Sequence, residues 1–84
     1  MTQKTHCLKT KPQYFEAVCV GAKTFEIRSD DRDFQVNDRV ILVEYDQIEN
    51  RYTGRVCPND GVTFRISYIT AFEQKPGFIV FGIK

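Results

Sequence analysis

The sequence predicts a small, mainly β domain: a barrel of short strands with one principal helix after the first strand. Three observations predict it. The chain has 84 residues, enough for a single domain spanning 1–84. Short runs rich in β-branched and aromatic residues recur between turn signals. Helical spacing appears in one stretch only, after Pro12. Closing such strands into a barrel removes free edges. A domain this small buries only about 60% of its unfolded surface, so its core needs large side chains. Seven Phe and four Tyr supply them.

The elements follow in order. His6-Cys7-Leu8-Lys9 reads as the first strand. Pro12 suits the first turn of a helix, where its missing N–H costs nothing. Glu16 is expected early in that helix, at the favourable end of its dipole. Phe15, Val18 and Cys19 share a face, and Gly21 supplies the C-cap. Lys23 to Arg28 reads as a strand. Its alternation sends Phe25 and Ile27 to the core and Thr24, Glu26 and Arg28 to a solvent cleft or a neighbouring element. Ser29 to Asp33 is a charged loop, and Asn37 marks a tight turn.

Arg39 to Tyr45 is nearly continuous in β-branched residues, which suggests burial on both faces. Asp46 to Arg51 is a hairpin loop. Tyr52 to Cys57 is the return strand, with Gly54 marking a bulge. Pro58-Asn59-Asp60-Gly61 is a turn, and Val62 to Tyr68 alternates as a half-buried strand. Lys75-Pro76-Gly77 is a turn before a last strand, Phe78 to Ile83.

Charge limits the function. Lys and Arg number 12 against 11 Asp and Glu, a net charge of +1. Non-specific nucleic-acid binders carry a clear basic excess. Any nucleic-acid role therefore needs a local patch or a pocket for one nucleotide. Cys7, Cys19 and Cys57 are odd in number and unpaired in spacing, so neither a disulfide framework nor a zinc site is expected. They read as buried or half-buried thiols in a reducing cytoplasm. No run approaches the roughly 20 apolar residues of a membrane span.

The segment richest in chemistry is Gly21-Ala22-Lys23-Thr24-Phe25-Glu26-Ile27-Arg28. Arg28 can clamp a phosphate at two points, and Lys23 is a point charge. Glu26 can accept from a base amino group or take a proton. The alternative is that Glu26 and Arg28 only pair with each other on a solvated sheet face. Lys4, Lys9 and Lys11 make a modest basic start, which suits phosphate or a solvated strand edge. Tyr45, Tyr52 and Tyr68 suit either base stacking or barrel packing. Ser29 to Asp33 reads as a solvated loop in preference to a metal site, and His6 as a structural or surface residue in preference to a catalytic base.

This segment, with His6-Cys7-Leu8-Lys9, Pro12 to Val18, Asp31 to Asp38 and Glu44-Tyr45, resembles the ASCH (activating signal cointegrator homology) domain of the PUA-like superfamily, in a bacterial and phage branch. The likeness runs through Tyr52-Thr53-Gly54-Arg55 to the last strand. Asn37 stands where the family turn has Gly, and Asn tolerates positive φ. The resemblance implies a PUA-like β-barrel and an RNA- or nucleotide-binding function. It implies a cleft lined by Lys23, Thr24, Glu26 and Arg28; the residue readings above add Lys9 and Tyr45 to the expected ligand-binding set. No cofactor, no metal and a monomer in the cytoplasm are expected, with RNA or a nucleotide as the partner.

One branch resembles an amidohydrolase acting on acetylated cytidine. Its lysine, matching Lys23, activates a threonine nucleophile at the position of Glu26. Here the hydroxyl is missing, so the reading leans away from an enzyme. If there is catalysis, Lys23 and Glu26 would carry it. A protein-interaction role is a third possibility, resting on small size and near-neutral charge.

Overall fold

The computed structural model describes residues 3–58 and 63–84. Six strands and a helix follow one another: β1 Thr5–Thr10, α1 Pro12–Cys19, β2 Phe25–Ser29, β3 Arg39–Asp46, β4 Arg51–Cys57, β5 Phe64–Thr70 and β6 Phe78–Ile83. The domain is thus mainly β with one short helix, as expected. The Asn59-Asp60-Gly61 turn and Val62 lie outside the described residues.

The strands are ordered β1-β3-β5-β6-β2, with β4 also paired to β3. β3 and β1 run parallel, Thr5 opposite Arg39 through Thr10 opposite Glu44. A parallel pair needs a long crossover, and α1 and β2 lie within it. On its other edge β3 meets β5 at Arg39 and Val40, then β4 from Leu42 to Asp46. Its Val40, Leu42 and Glu44 are buried, while Ile41, Val43 and Tyr45 are half-buried. Only one face of β3 is fully covered, contrary to the expectation drawn from its composition.

Among the described residues no backbone ladder joins β1 to β2, the ends of the path. Side chains cross there instead. Arg28 Nη1 on β2 donates to the Lys9 carbonyl on β1 at 2.9 Å. Arg32 Nη1 donates to the Cys7 carbonyl at 3.1 Å.

The core is Phe15 and Val18 of α1 packed with Leu8, Val40, Leu42, Ile66, Phe81 and their neighbours. Pro12 opens the helix, and Gly21 follows its cap at φ 80°. There the amides of Ala22 and Lys23 both return to the Ala17 carbonyl. The helix starts at Pro12, so Glu16 sits past its first turn, where the dipole no longer favours it. It pairs with Arg55 at 3.2 Å instead. Cys19 is exposed at the last helical position, and Cys7 is exposed too; Cys57 alone is buried. Asn37 has φ 77° and Gly54 φ 91°. The β3–β4 register shifts between Val43 and Tyr45, opposite Gly54, where the bulge was expected.

Candidate functional site

The site is built on β2, and pairing decides which way its side chains point. Residues directly opposite across an antiparallel ladder share a face. Glu26 lies opposite Phe81, and Arg28 opposite Ile79. Phe81 and Ile79 are core residues, so Glu26 and Arg28 point inward. Phe25 and Ile27 point outward and are 40% and 53% exposed. The expectation that Phe25 and Ile27 enter the core is overturned. The apolar side of β6 sets the inner face, and β2 contributes polar groups there. Alternation along β2 reveals two faces but not which one its neighbour covers.

A buried carboxylate is costly unless it is paired and hydrogen-bonded. Glu26, 3% exposed, is both. Lys23 Nζ donates to its Oε1 at 2.9 Å. Arg28 approaches Oε2 through Nε at 3.2 Å and Nη2 at 3.1 Å. Lys23 also donates to the Phe25 carbonyl at 2.6 Å. Two of its three ammonium protons are thus committed, leaving one. Arg28 is more fully engaged. Besides the Lys9 carbonyl, it reaches Thr10 Oγ1 at 3.1 Å through Nη2. The buried Thr10 hydroxyl donates in turn to the Leu8 carbonyl at 2.9 Å. Arg28 therefore staples β2 to β1, and its fork is not free to clamp a phosphate at two points.

This network walls a hollow of about 500 Å³, within the range of small-ligand sites. β1 contributes Lys9 and Thr10 to it, Lys11 follows, α1 adds Tyr14, and Lys23 and β2 complete it. Four cationic residues and one glutamate line it, an excess of three positive charges on a chain whose net charge is +1. Lys23 Nζ lies 4.9 Å from the Phe25 ring centroid and 5.6 Å from that of Tyr14, within cation–π range. Lys11 is exposed, and its side chain has no hydrogen bond or ion pair among the described residues.

The structure thus brings Lys9, Lys23, Glu26 and Arg28 together. Thr24 is exposed and does not line the hollow. It precedes β2, and its carbonyl accepts the Ile83 amide at 2.9 Å. Tyr45 is half-buried and does not line the hollow; Lys9 Nζ lies 4.4 Å from its ring centroid. Sequence reasoning left Thr10, Lys11 and Tyr14 outside the site. Their signal was the short step Lys9-Thr10-Lys11-Pro12, which ends a strand and starts a helix beside the same cleft.

Two further carboxylates are buried elsewhere. Asp38 Oδ2 lies 2.8 Å from His6 Nε2 and accepts the Gln35 amide at 3.1 Å; Oδ1 accepts the Lys4 amide at 3.2 Å. Burial works against charging Asp38. The His6 contact and the two amides outweigh it and hold the carboxyl below its ordinary value of 3.8. Phe34 covers His6, with ring centroids 4.5 Å apart. His6 is thus a structural residue. Glu44 accepts the Thr53 hydroxyl at 2.7 Å and lies 3.5 Å from Arg55. In the charged loop, Asp33 pairs with Lys4 at 3.6 Å. Among the described residues no cluster of three or more His, Cys, Asp or Glu could hold a metal ion. Among them, too, no helix is long and apolar enough to cross a membrane.

Comparison with curated proteins finds no match. Residues 5–83 match the family model described as "Domain of unknown function (DUF3850)". With nearly its whole length matched, the chain belongs to the DUF3850 family.

Proposed function

We propose that this domain is an RNA- or nucleotide-binding module that receives its ligand in the Lys9–Arg28 hollow. We also propose that its strands form a PUA-like barrel of the ASCH type, with Arg28 of β2 and Arg32 of the loop after it bridging to β1 where backbone pairing ends. One observation carries the binding reading: a hollow of about 500 Å³ with three surplus positive charges and two aromatic rings on its wall. Anion and ring recognition together suit a nucleotide. Lys11, Lys9 and the spare proton of Lys23 serve the phosphate. Tyr14 and Phe25 offer faces to a base. Glu26 is the anchor that keeps Lys23 and Arg28 at the wall; with both oxygens engaged, it is not the group that reads a base.

A hydrolase of acylated nucleosides is the weaker reading. The Lys23–Glu26 contact at 2.9 Å favours it. Against it, Glu26 is shielded by two cations, and Thr24 lies off the wall. A screen of acylated nucleosides should give no turnover above a Glu26→Ala control.

The binding reading is tested by fluorescence anisotropy with short RNAs at low and moderate salt. Wild type is compared with a Lys9→Ala, Lys11→Ala double variant. Removing one lysine–phosphate pair should flatten the logarithmic salt dependence by about 0.7 on a single strand, so the double variant should remove about 1.4. Arg28→Ala is a poorer probe, because it also cuts the staple to β1. Equal, weak binding by wild type and the lysine variant ends the proposal.

A further inference from the structure

Antiparallel sheets usually turn polar side chains toward water. The outer face of β2, β6 and β5 does so only in part: the exposed Arg65 stands at one end of β5, while the middle of the face is largely apolar. Register places Phe25 and Ile27 of β2 beside Gly82 and Val80 of β6, and these beside Tyr68 and Thr70 of β5. Phe78 lies opposite Ser29 at one corner. None of these side chains is charged. Phe25, Ile27, Tyr68 and Phe78 are all at least 40% exposed.

One detail shows how closely its rings pack against the backbone. A Cβ on Gly82 would sit 2.4 Å from Cε1 and 2.8 Å from Cδ1 of Tyr68. The Tyr68 ring therefore lies over the Gly82 backbone. It occupies the same cross-strand row as Phe25, with one ring on each side of the glycine.

Two arguments identify what covers this face. The first is area. Three aromatic side chains, each worth about 150–250 Å² and roughly half exposed, offer with Ile27 on the order of 400 Å². A stable protein interface needs about 800 Å² per partner. A second copy of the chain is therefore poorly served. The second is continuity with charge. Phe25 and Ile27 belong to this face and also line the cationic hollow. Their strand edge separates a surface for rings from a surface for phosphates.

We propose that the outer face of β2, β6 and β5 is a stacking platform for the bases of single-stranded RNA whose phosphates lie against Lys9, Lys11 and Lys23. It rests on the cleft reading and extends it from one nucleotide to a short strand. Stacking on aromatic faces tolerates any base, so the platform supplies affinity and length preference, not sequence preference.

The test compares adenosine monophosphate with hexaadenylate RNA and the matching DNA hexamer. The proteins are wild type, Phe78→Thr, and a Tyr68→Thr, Phe78→Thr double variant, each checked for folding by circular dichroism. Threonine suits a strand, and Phe78→Thr alone serves if the double variant does not fold. Wild type should bind the RNA hexamer more tightly than the mononucleotide. The double variant should lose about tenfold or more on the hexamer, and remain within twofold of wild type on the mononucleotide. A wild type that binds both ligands equally overturns the platform and leaves the cleft intact. So does a Thr variant with unchanged hexamer affinity, or one that loses both ligands alike. A wild-type dimer dissolved by the variants gives the face to a second copy. A DNA hexamer bound as tightly as RNA overturns the RNA assignment. A wild type that binds neither ligand removes the cleft reading and the platform with it.

Discussion

Glu26 and Asp38 are both carboxylates shut away from water, 3% and 4% exposed, yet they sit in opposite settings. Asp38 is held by two backbone amides and a His6 ring that is itself 5% exposed. Its donors come from β1, the residue before that strand and the turn before β3, and the cluster locks these segments together. Glu26 is held by two long cations, Lys23 and Arg28, whose side chains are 18% and 23% exposed and line a hollow. The lesson is that burial of an acid does not mark a site. What matters is whether its partners still face open space.

The comparison breaks most visibly in stability. Asp38→Ala leaves the two amides and the His6 ring without their acceptor. Removing one side of a buried polar network costs about 3–5 kcal/mol. For a domain of this size that is a drop in Tm of roughly 15 °C or more. Thermal melts check it, and a drop of only a few degrees would mean that water replaces the carboxylate freely. Glu26→Gln should cost less, about 1–3 kcal/mol, because Lys23 and Arg28 can turn toward the hollow and its water. The same change adds a positive charge to the wall's excess. Short RNA should therefore bind no more weakly, with a steeper salt dependence. A sharp fall in affinity would instead make Glu26 a direct ligand contact.

Acid sharpens the contrast on one side. The folded-state pKa of Asp38 is depressed, so the folded state favours its charged form. Its contribution to stability is present above its ordinary value of 3.8 and is lost as pH falls from there through the lowered value. Urea midpoints followed from about pH 6 to about pH 2 should show this decline in wild type. The part due to Asp38 should be missing in Asp38→Ala, giving a shallower acid limb. Identical limbs in the two proteins would show that Asp38 is bonded equally in the unfolded chain.

Much of this arrangement was legible in the sequence, for local reasons. Pro12 fixes its own φ, and Gly21 and Asn37 tolerate the positive φ that a helix C-terminus and a tight turn require, so the helix ends and the turn before β3 could be read directly. The GxKTxExR stretch could be read as polar chemistry on one side of a strand. What could not be read was decided by partners distant in sequence. The orientation of β2 depends on Phe81 and Ile79, more than 50 residues away. The same pairing turned Phe25 and Ile27 outward and made Arg28 a staple. Lys11 and Tyr14 joined the wall because β1 and β2 approach each other at that end; the Lys9-Thr10-Lys11-Pro12 step marked the strand-to-helix junction but not this approach. Because α1 starts at Pro12, Glu16 falls beyond its first turn, and Cys19, its last residue, is exposed.

The smallest expected effect is also the most discriminating, because it removes the same charge from each setting. Lys11 lines the hollow; Lys4 stands beside the Asp38 cluster and pairs with Asp33 at 3.6 Å. Both are exposed, and exposed pairs contribute little, so Lys11→Ala and Lys4→Ala should each shift stability by no more than about 0.5 kcal/mol. Net charge falls equally in both. If attraction to RNA came from net charge alone, the two variants would lose affinity alike. If the hollow holds the phosphate, Lys11→Ala should flatten the logarithmic salt dependence by about 0.7 while Lys4→Ala leaves it in place. Anisotropy titrations at several salt concentrations measure both slopes. Matching slopes in the two variants would strip the hollow of its special role and leave the Glu26 cluster as structural as its counterpart around Asp38.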